Sequence, residues 1–139
     1  MELIPIKINS KSPNEYCEES YIQTLEYYKV IGYHEPWISY YFSVENEIVG
    51  ICSFKGKPDK NSKVEIAYCT FEQFQGKGYA NKMCSLLLDI AKMHNNVHVF
   101  ARTLPEMNAS TMILTKNGFK CIGSVIDPED GDVWEWVAG

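Results

Sequence analysis

The stretch Val64-Glu65-Ile66-Ala67-Tyr68-Cys69-Thr70 is followed closely by Gln73-Phe74-Gln75-Gly76-Lys77-Gly78-Tyr79-Ala80. The first seven residues are rich in β-formers and read as a strand. From about Gly78 to Met93 the pattern turns helical, with Ala80, Met83, Cys84, Leu87, Ile90 and Ala91 on one face and Asn95 and Asn96 suited to the end. Between strand and helix stand Gly76 and Gly78, which let the backbone approach a ligand closely. The first N–H groups of a helix have no internal partner, and the helix dipole favours negative charge there. With Lys77 adding a cation, the segment predicts a pyrophosphate site. It is not a Walker loop, because no Gly-Lys-Ser/Thr closes it. It is not a dinucleotide fingerprint either, because no third glycine follows Gly78 at the required spacing. The plain alternative is a glycine-containing turn that binds nothing.

Downstream, Val97 to Ala101 reads as a short buried strand, so Val64 to Ala101 forms a strand–helix–strand unit with a right-handed parallel crossover. A shorter helix covers about Asn108 to Asn117, capped by Gly118. Phe119 to Ile126 and Asp132 to Val137 are strands joined by the turn-rich Asp127 to Gly131. Upstream, Ile38 to Val44 and Glu47 to Phe54 flank the polar pair Glu45-Asn46 and read as a hairpin, followed by the loop Lys55 to Lys63. Tyr33 to Trp37 is an aromatic loop. The helix before it carries Tyr21, Leu25 and Tyr28, ends at Gly32, and takes Ser12, Pro13 and Glu15 as its start signature. Leu3 to Ile8 alternates as a half-buried strand does. The order β, α, β, β, β, α, β, α, β, β means an α+β (or α/β) sheet with helices on its faces, in one domain spanning 1–139.

Composition narrows the function classes. The 139 residues are 45% hydrophobic and 22% charged, ordinary for a globular chain, and the formal net charge is -5. A basic footprint for nucleic acid is missing, whereas an acidic surface suits a cationic partner. Cys17, Cys52, Cys69, Cys84 and Cys121 are odd in number and without Cys-x-x-Cys spacing, so free thiols in a reducing cytosol are expected. His34, His94 and His98 show no metal-ligand pattern. No basic segment with a long apolar run opens the chain, and no apolar stretch is long enough for a bilayer. A cytoplasmic location without metal or membrane is the expectation.

Gln/Arg-x-x-Gly-x-Gly/Ala after a strand, here Gln73 to Gly78, resembles the coenzyme A pyrophosphate loop of the GNAT acetyltransferases. Val64 to Tyr68 is similar to the strand by which that family holds pantetheine. Leu104-Pro105-Glu106-Met107-Asn108-Ala109-Ser110 resembles its Pro-Glu-Asn-x-x-Ser segment, and Asn117-Gly118-Phe119-Lys120 the Gly-Phe that opens its next strand. Asp127 to Gly131 with Trp134-Glu135-Trp136 resembles the closing hairpin of the ribosomal-protein N-acetyltransferase (RimJ/RimL-like) branch. The resemblance covers nearly the whole chain, most strongly Val64 to Trp136. Two positions depart from it. Met107 stands where the family has its first asparagine, and Leu114 stands near the position of a proton-donating tyrosine.

The resemblance implies a mostly antiparallel sheet with a central, splayed parallel pair. It also implies acetyl transfer from acetyl-CoA to a primary amine by direct attack. The acceptor is a protein N-terminal α-amino group, with a small-molecule amine, or a non-catalytic CoA-binding module, as alternatives. Gln73, Phe74, Gln75, Gly76, Lys77, Gly78, Tyr79 and Ala80 would hold the pyrophosphate. Ala67, Tyr68, Cys69 and Thr70 would lend backbone hydrogen bonds to the pantetheine, a backbone N–H near Tyr68 would polarise the carbonyl, and Asn108 would contact the pantetheine arm. Ser110 is left as the hydroxyl that protonates the departing thiolate. Glu65 alternates with Val64 and Ile66 and so faces away from them; it reads as a base or as a structural carboxylate. Tyr33, His34, Glu35 and Trp37 read as the acceptor side or as a packed surface loop. Such an enzyme works as a monomer or a homodimer.

Overall fold

A computed structural model describes residues 1–139. Its elements are β1 Glu2–Pro5, α1 Glu18–Ile31, β2 Ser39–Val44, β3 Glu47–Phe54, β4 Lys63–Thr70, α2 Tyr79–Lys92, β5 His98–Thr103, α3 Ala109–Lys116, β6 Phe119–Asp127 and β7 Gly131–Ala138. A single 3₁₀ turn, Glu72–Phe74, lies between β4 and α2. The seven strands form a sheet in the order β1-β2-β3-β4-β5-β7-β6. Only β4 and β5 run parallel; every other pair is antiparallel. The expected fold class is the one observed.

Local chemistry accounts for the elements. The β2–β3 hairpin turns on Glu45 and Asn46, whose φ angles of 49° and 66° match the twist of the flanking strands. In α2, Met83, Cys84, Leu87, Leu88 and Ala91 are buried at helical spacing. They pack against Val64 and Ile66 of β4 and Cys52 and Phe54 of β3. Full burial of a side chain such as Phe54 contributes about 2–3 kcal/mol. Gly50 of β3 is required for closeness: a side chain there would stand 2.5 Å from the Cys69 carbonyl and 2.9 Å from the Met83 methyl. On the opposite face of the sheet, Ile6, Cys17, Tyr41 and Ile48 form a smaller core with Tyr21 of α1. Thus α2 cushions one face and α1 the other.

Three boundaries differ from the sequence reading: β5 runs on to Thr103, two residues past Ala101, and the first helix and first strand also differ. The first helix starts at Glu18, not near Ser12. The Ser12 hydroxyl donates to the Asn14 carbonyl, and the Asn14 side chain accepts the Cys17 N–H at 2.9 Å. Asn14 therefore organises the entry, and Ser12-Pro13 lies in the turn before it. The first strand stops at Pro5, although Ile6 still donates its N–H to Ser39 and is buried.

Candidate active site

The parallel pair is short. Lys63, Val64 and Glu65 pair with His98, Val99 and Phe100, and beyond that point β5 pairs only with β7 while β4 continues to Thr70 paired only with β3. The strands splay. Backbone alternation decides what the gap offers. Lys55 donates its N–H to the Glu65 carbonyl and His98 donates to Ser62, so odd residues of β4 face β3 and even ones face β5. Ile66 donates its N–H to the Phe100 carbonyl as the last rung of the parallel pair, and beyond it the Ile66 C=O and the N–H and C=O of Tyr68 turn into the opening. Ala67 and Cys69 lie opposite Ser53 and Ile51, and their backbone groups are directed to β3. The run Ala67 to Thr70 thus turns backbone groups into the gap at Tyr68 and Thr70 only, the Thr70 carbonyl already accepting from the Gln75 amide, because a strand exposes alternate residues to each neighbour. The Ile66 carbonyl is a strand-edge acceptor that sequence reasoning missed.

A cavity of about 530 Å³ opens at the top of the gap, on the α2 face. Its floor is Tyr68, Cys69 and Thr70. One wall is Gln75, Gly76, Gly78, Tyr79 and Ala80, and the other is Ala109, Ser110, Ile113 and Lys116 of α3. Gly76 and Gly78 hold φ of 84° and 78°, the left-handed region, and no side chain caps α2. The Lys82 N–H is the first to find a helical partner, the Gly78 carbonyl, so the N–H groups before it are free. This end fits a diphosphate, and the open edge of β4 fits an extended amide-bearing chain; together they fit coenzyme A. Gln73 and Lys77 belong to the same loop but lie outside the cavity lining. Phe74 packs toward the ring of Tyr16. Asn81 and Lys116 join the lining without a sequence signal, because only the α2–α3 contact, marked by the Asn117–Asn81 hydrogen bond at 2.9 Å, brings them there.

A second, narrower cavity of about 110 Å³ passes through the splay. On the α2 side it is lined by Tyr68, Ser110 and Leu114; on the other face it reaches Lys55, Glu65 and Arg102. Glu65 faces away from buried Val64 and Ile66 and lies 3.4 Å from the Lys55 ammonium. Burial pushes its carboxyl above the usual range, and Lys55 and Arg102 only partly offset that. Burial pulls Lys55 down, yet Glu65 and Tyr27 hold it above its ordinary value. The pair is unequal: the ammonium gains from it, while the carboxylate stays underpaid in solvation. Arg102 in turn binds Glu135 at 3.2 Å and Asp127 at 3.0 Å, fastening the β6–β7 turn beside the slot. Lys55, Arg102 and Thr103 are site residues that the sequence did not single out, because their neighbours come from distant strands.

Two sets of expected residues lie elsewhere. Trp37 is buried in the core, its ring 5.0 Å from both Phe54 and His94, at the far end of α2 from the cavity. Tyr33 stacks edge-on against Tyr28 and donates its hydroxyl to Glu35, and the His34 carbonyl accepts the Trp37 N–H. None of Tyr33, His34, Glu35 and Trp37 lines the cavity or the slot. The loop closes the core because its aromatic surface is worth more buried than exposed. Asn108 is also committed to structure. Its carboxamide oxygen accepts the Thr111 N–H and its amide donates to Glu106, making it the cap of α3 rather than part of the cavity wall.

A sheet split at one parallel pair, a diphosphate-sized helix end beside the split and a carboxylate behind it define a coenzyme A-dependent acyl-transfer fold. Residues 8–120 match the acetyltransferase (GNAT) domain family, and the chain belongs to it. Among solved structures it is similar to RimL, the ribosomal L7/L12 alpha-N-protein acetyltransferase, in complex with coenzyme A (TM-score 0.68, 20% identity, 88% of this chain and 70% of that one). It is likewise similar to the Salmonella typhimurium acetyl transferase that modifies the N-terminal serine of L7/L12 (TM-score 0.66, 18% identity, 88% and 72%). A third likeness is to the aminoglycoside acetyltransferase AAC(6')-Ib with coenzyme A (TM-score 0.63, 18% identity, 72% and 64%). No curated protein matches the sequence. No helix is long and apolar enough to cross a membrane, and no group of His, Cys, Asp and Glu is arranged to hold a metal ion.

Proposed function

We propose that the chain acetylates a primary amine, taking the acetyl group from acetyl-CoA held in the upper cavity and admitting the amine from the opposite face through the slot. The observation that carries this reading is the slot itself. It joins the helix-end cavity on one face to Glu65 on the other, so donor and acceptor meet without crossing. The free N–H groups at Gly76 to Ala80 hold the diphosphate, and the free N–H of Tyr68 faces the thioester carbonyl and stabilises its developing charge. An alkyl ammonium, with a pKa of roughly 10, must lose a proton before it attacks. Glu65, raised by burial, accepts that proton directly or through water. The attack is direct. Cys69 is exposed at the cavity floor, and its thiol contacts only the Thr70 carbonyl, with no histidine to activate it. Acid quenching during turnover is expected to leave no acetyl group on Cys69.

The acceptor is a protein N-terminal α-amino group, a reading supported by the likeness to the L7/L12 N-acetyltransferases. A small-molecule amine is the second reading, supported by the likeness to the aminoglycoside enzyme. Thiol release from acetyl-CoA across N-terminal peptides, polyamines and aminoglycosides separates the two. Tight coenzyme binding with no turnover on any amine would leave a binding module instead.

A further inference from the structure

We infer that the phenol of Tyr68 is the hydrogen-bond donor that stabilises the sulfur as it leaves the acetyl group, the task that sequence reasoning gives to Ser110. The inference rests on the acetyl-transfer reading above. The upper cavity and the slot share two residues, Tyr68 and Ser110, so the scissile carbon–sulfur bond must lie against them.

The other hydroxyls of the slot and of the first turn of α3 are already committed. Thr111 is fully buried, and its hydroxyl closes the capping box with Asn108. Thr103 donates to the Leu104 carbonyl and accepts from the Trp136 indole. Leu114 lines the slot with carbon alone. Of the two that the cavity and the slot share, Tyr68 reaches from β4 across the splay, and its hydroxyl donates to the Ser110 carbonyl at 3.2 Å. That bond is long for O–H···O, where about 2.7–2.8 Å is usual, so it tethers the phenol weakly and leaves it free to turn to a better acceptor. A thiolate is such an acceptor. Burial, eased a little by the Ser110 contact, pushes the phenol up to about 12 and keeps it protonated at neutral pH. It is still a stronger donor than an aliphatic alcohol, whose acidity lies near that of water at ~16.

The step balances. The nitrogen–carbon bond forms, the carbon–sulfur bond breaks and its electron pair goes to sulfur. Tyr68 points its O–H at that pair and keeps its proton, because a thiol, at ~8.5, is the stronger acid. Glu65, having released to solvent the proton it took from the ammonium, takes the surplus proton on nitrogen directly or through its water, and the thiolate takes a proton from solvent on release.

The test uses the full chain with two readouts. The thiol of bound coenzyme A, followed by thiolate absorbance across pH, is expected to ionise more readily on the wild type than free in water. Tyr68→Phe should cancel about tenfold of that ionisation, and Ser110→Ala should leave it in place. In turnover, Tyr68→Phe should lower kcat by about 10²-fold with acetyl-CoA affinity nearly unchanged. Fluorotyrosines at position 68 should speed the reaction in the order of their phenol acidity, which a packing role would not produce. Unchanged thiol ionisation in Tyr68→Phe, or a larger kcat loss in Ser110→Ala, overturns the inference. If the wild type acetylates no amine, the acetyl-transfer reading fails, and the thiol titration alone still decides the role of Tyr68.

Discussion

Glu65 carries the sharpest consequence at the level of one side chain. It is an acid inside an apolar strand, with Lys55 at 3.4 Å as its nearest cation. Since the fold raises its pKa, the native state favours the protonated carboxyl. Its contribution to stability is complete below about pH 4.3, the ordinary glutamate value, and is lost as pH rises through the folded value. Above that point the carboxylate is poised to take a proton. Activity is therefore expected to rise with pH along a limb set by Glu65. Glu65→Gln should flatten that limb and lower kcat/KM at neutral pH by about 10²-fold, with partial recovery at high pH, where more of the amine is already neutral. A pH–rate profile of both proteins checks this; a limb that survives the substitution unchanged assigns the base to another group.

Among the elements, the β4–loop–α2 unit was the most legible, and the reason is local. Its strand composition, helical periodicity and glycines are all encoded within neighbouring residues, and β4 and α2 fall within a residue or so of where the sequence puts them. Misread elements have competing local solutions. Ser12-Pro13 offers a good helix start, but Asn14 offers a better turn. The aromatic loop Tyr33 to Trp37 reads equally as a binding surface or a packed loop, and only the turn after α2 supplies His94 for Trp37 to pack on. Asn108 looks like a ligand contact, but it sits at the one position that can cap α3. The loop itself supports a direct test. At Gly78 nothing lies within 4 Å of where a side chain's first carbon would stand, so substitution is not blocked by packing. The φ of 78° strains any other residue, by about 1–2 kcal/mol, which a folded chain of this size can absorb. Gly78→Val is therefore expected to fold, yet to lose acetyl-CoA binding because its side chain stands where the diphosphate approaches. Calorimetry showing wild-type affinity in the folded variant would move the diphosphate elsewhere.

For the whole molecule, function depends on a pairing that stops early. Had β4 and β5 stayed paired beyond Glu65 and Phe100, there would be no slot, and Glu65 would be sealed from the coenzyme side. Sequence could give the crossover and, through the family resemblance, the splay. It could not give the partners across the splay, since Lys55, Glu65, Arg102 and Asp127 meet only when four separate segments assemble. The same early stop makes alternate amides of one strand unequal. The N–H groups of Ala67 and Cys69 are directed to β3 and that of Ile66 to Phe100 of β5, while that of Tyr68 faces the gap with no strand opposite. Residue-resolved hydrogen exchange is expected to show slow exchange at Ile66, Ala67 and Cys69 and fast exchange at Tyr68 in the free protein. Saturating acetyl-CoA should slow Tyr68 on the order of tenfold, the effect of about one hydrogen bond gained, and leave Ala67 and Cys69 as they were. Tyr68 exchanging as slowly as its neighbours in the free chain would mean that β4 is paired on both sides in solution. Tyr68 indifferent to the coenzyme would mean that the pantetheine does not run along this edge, and the direct-attack geometry built on it would fall with it.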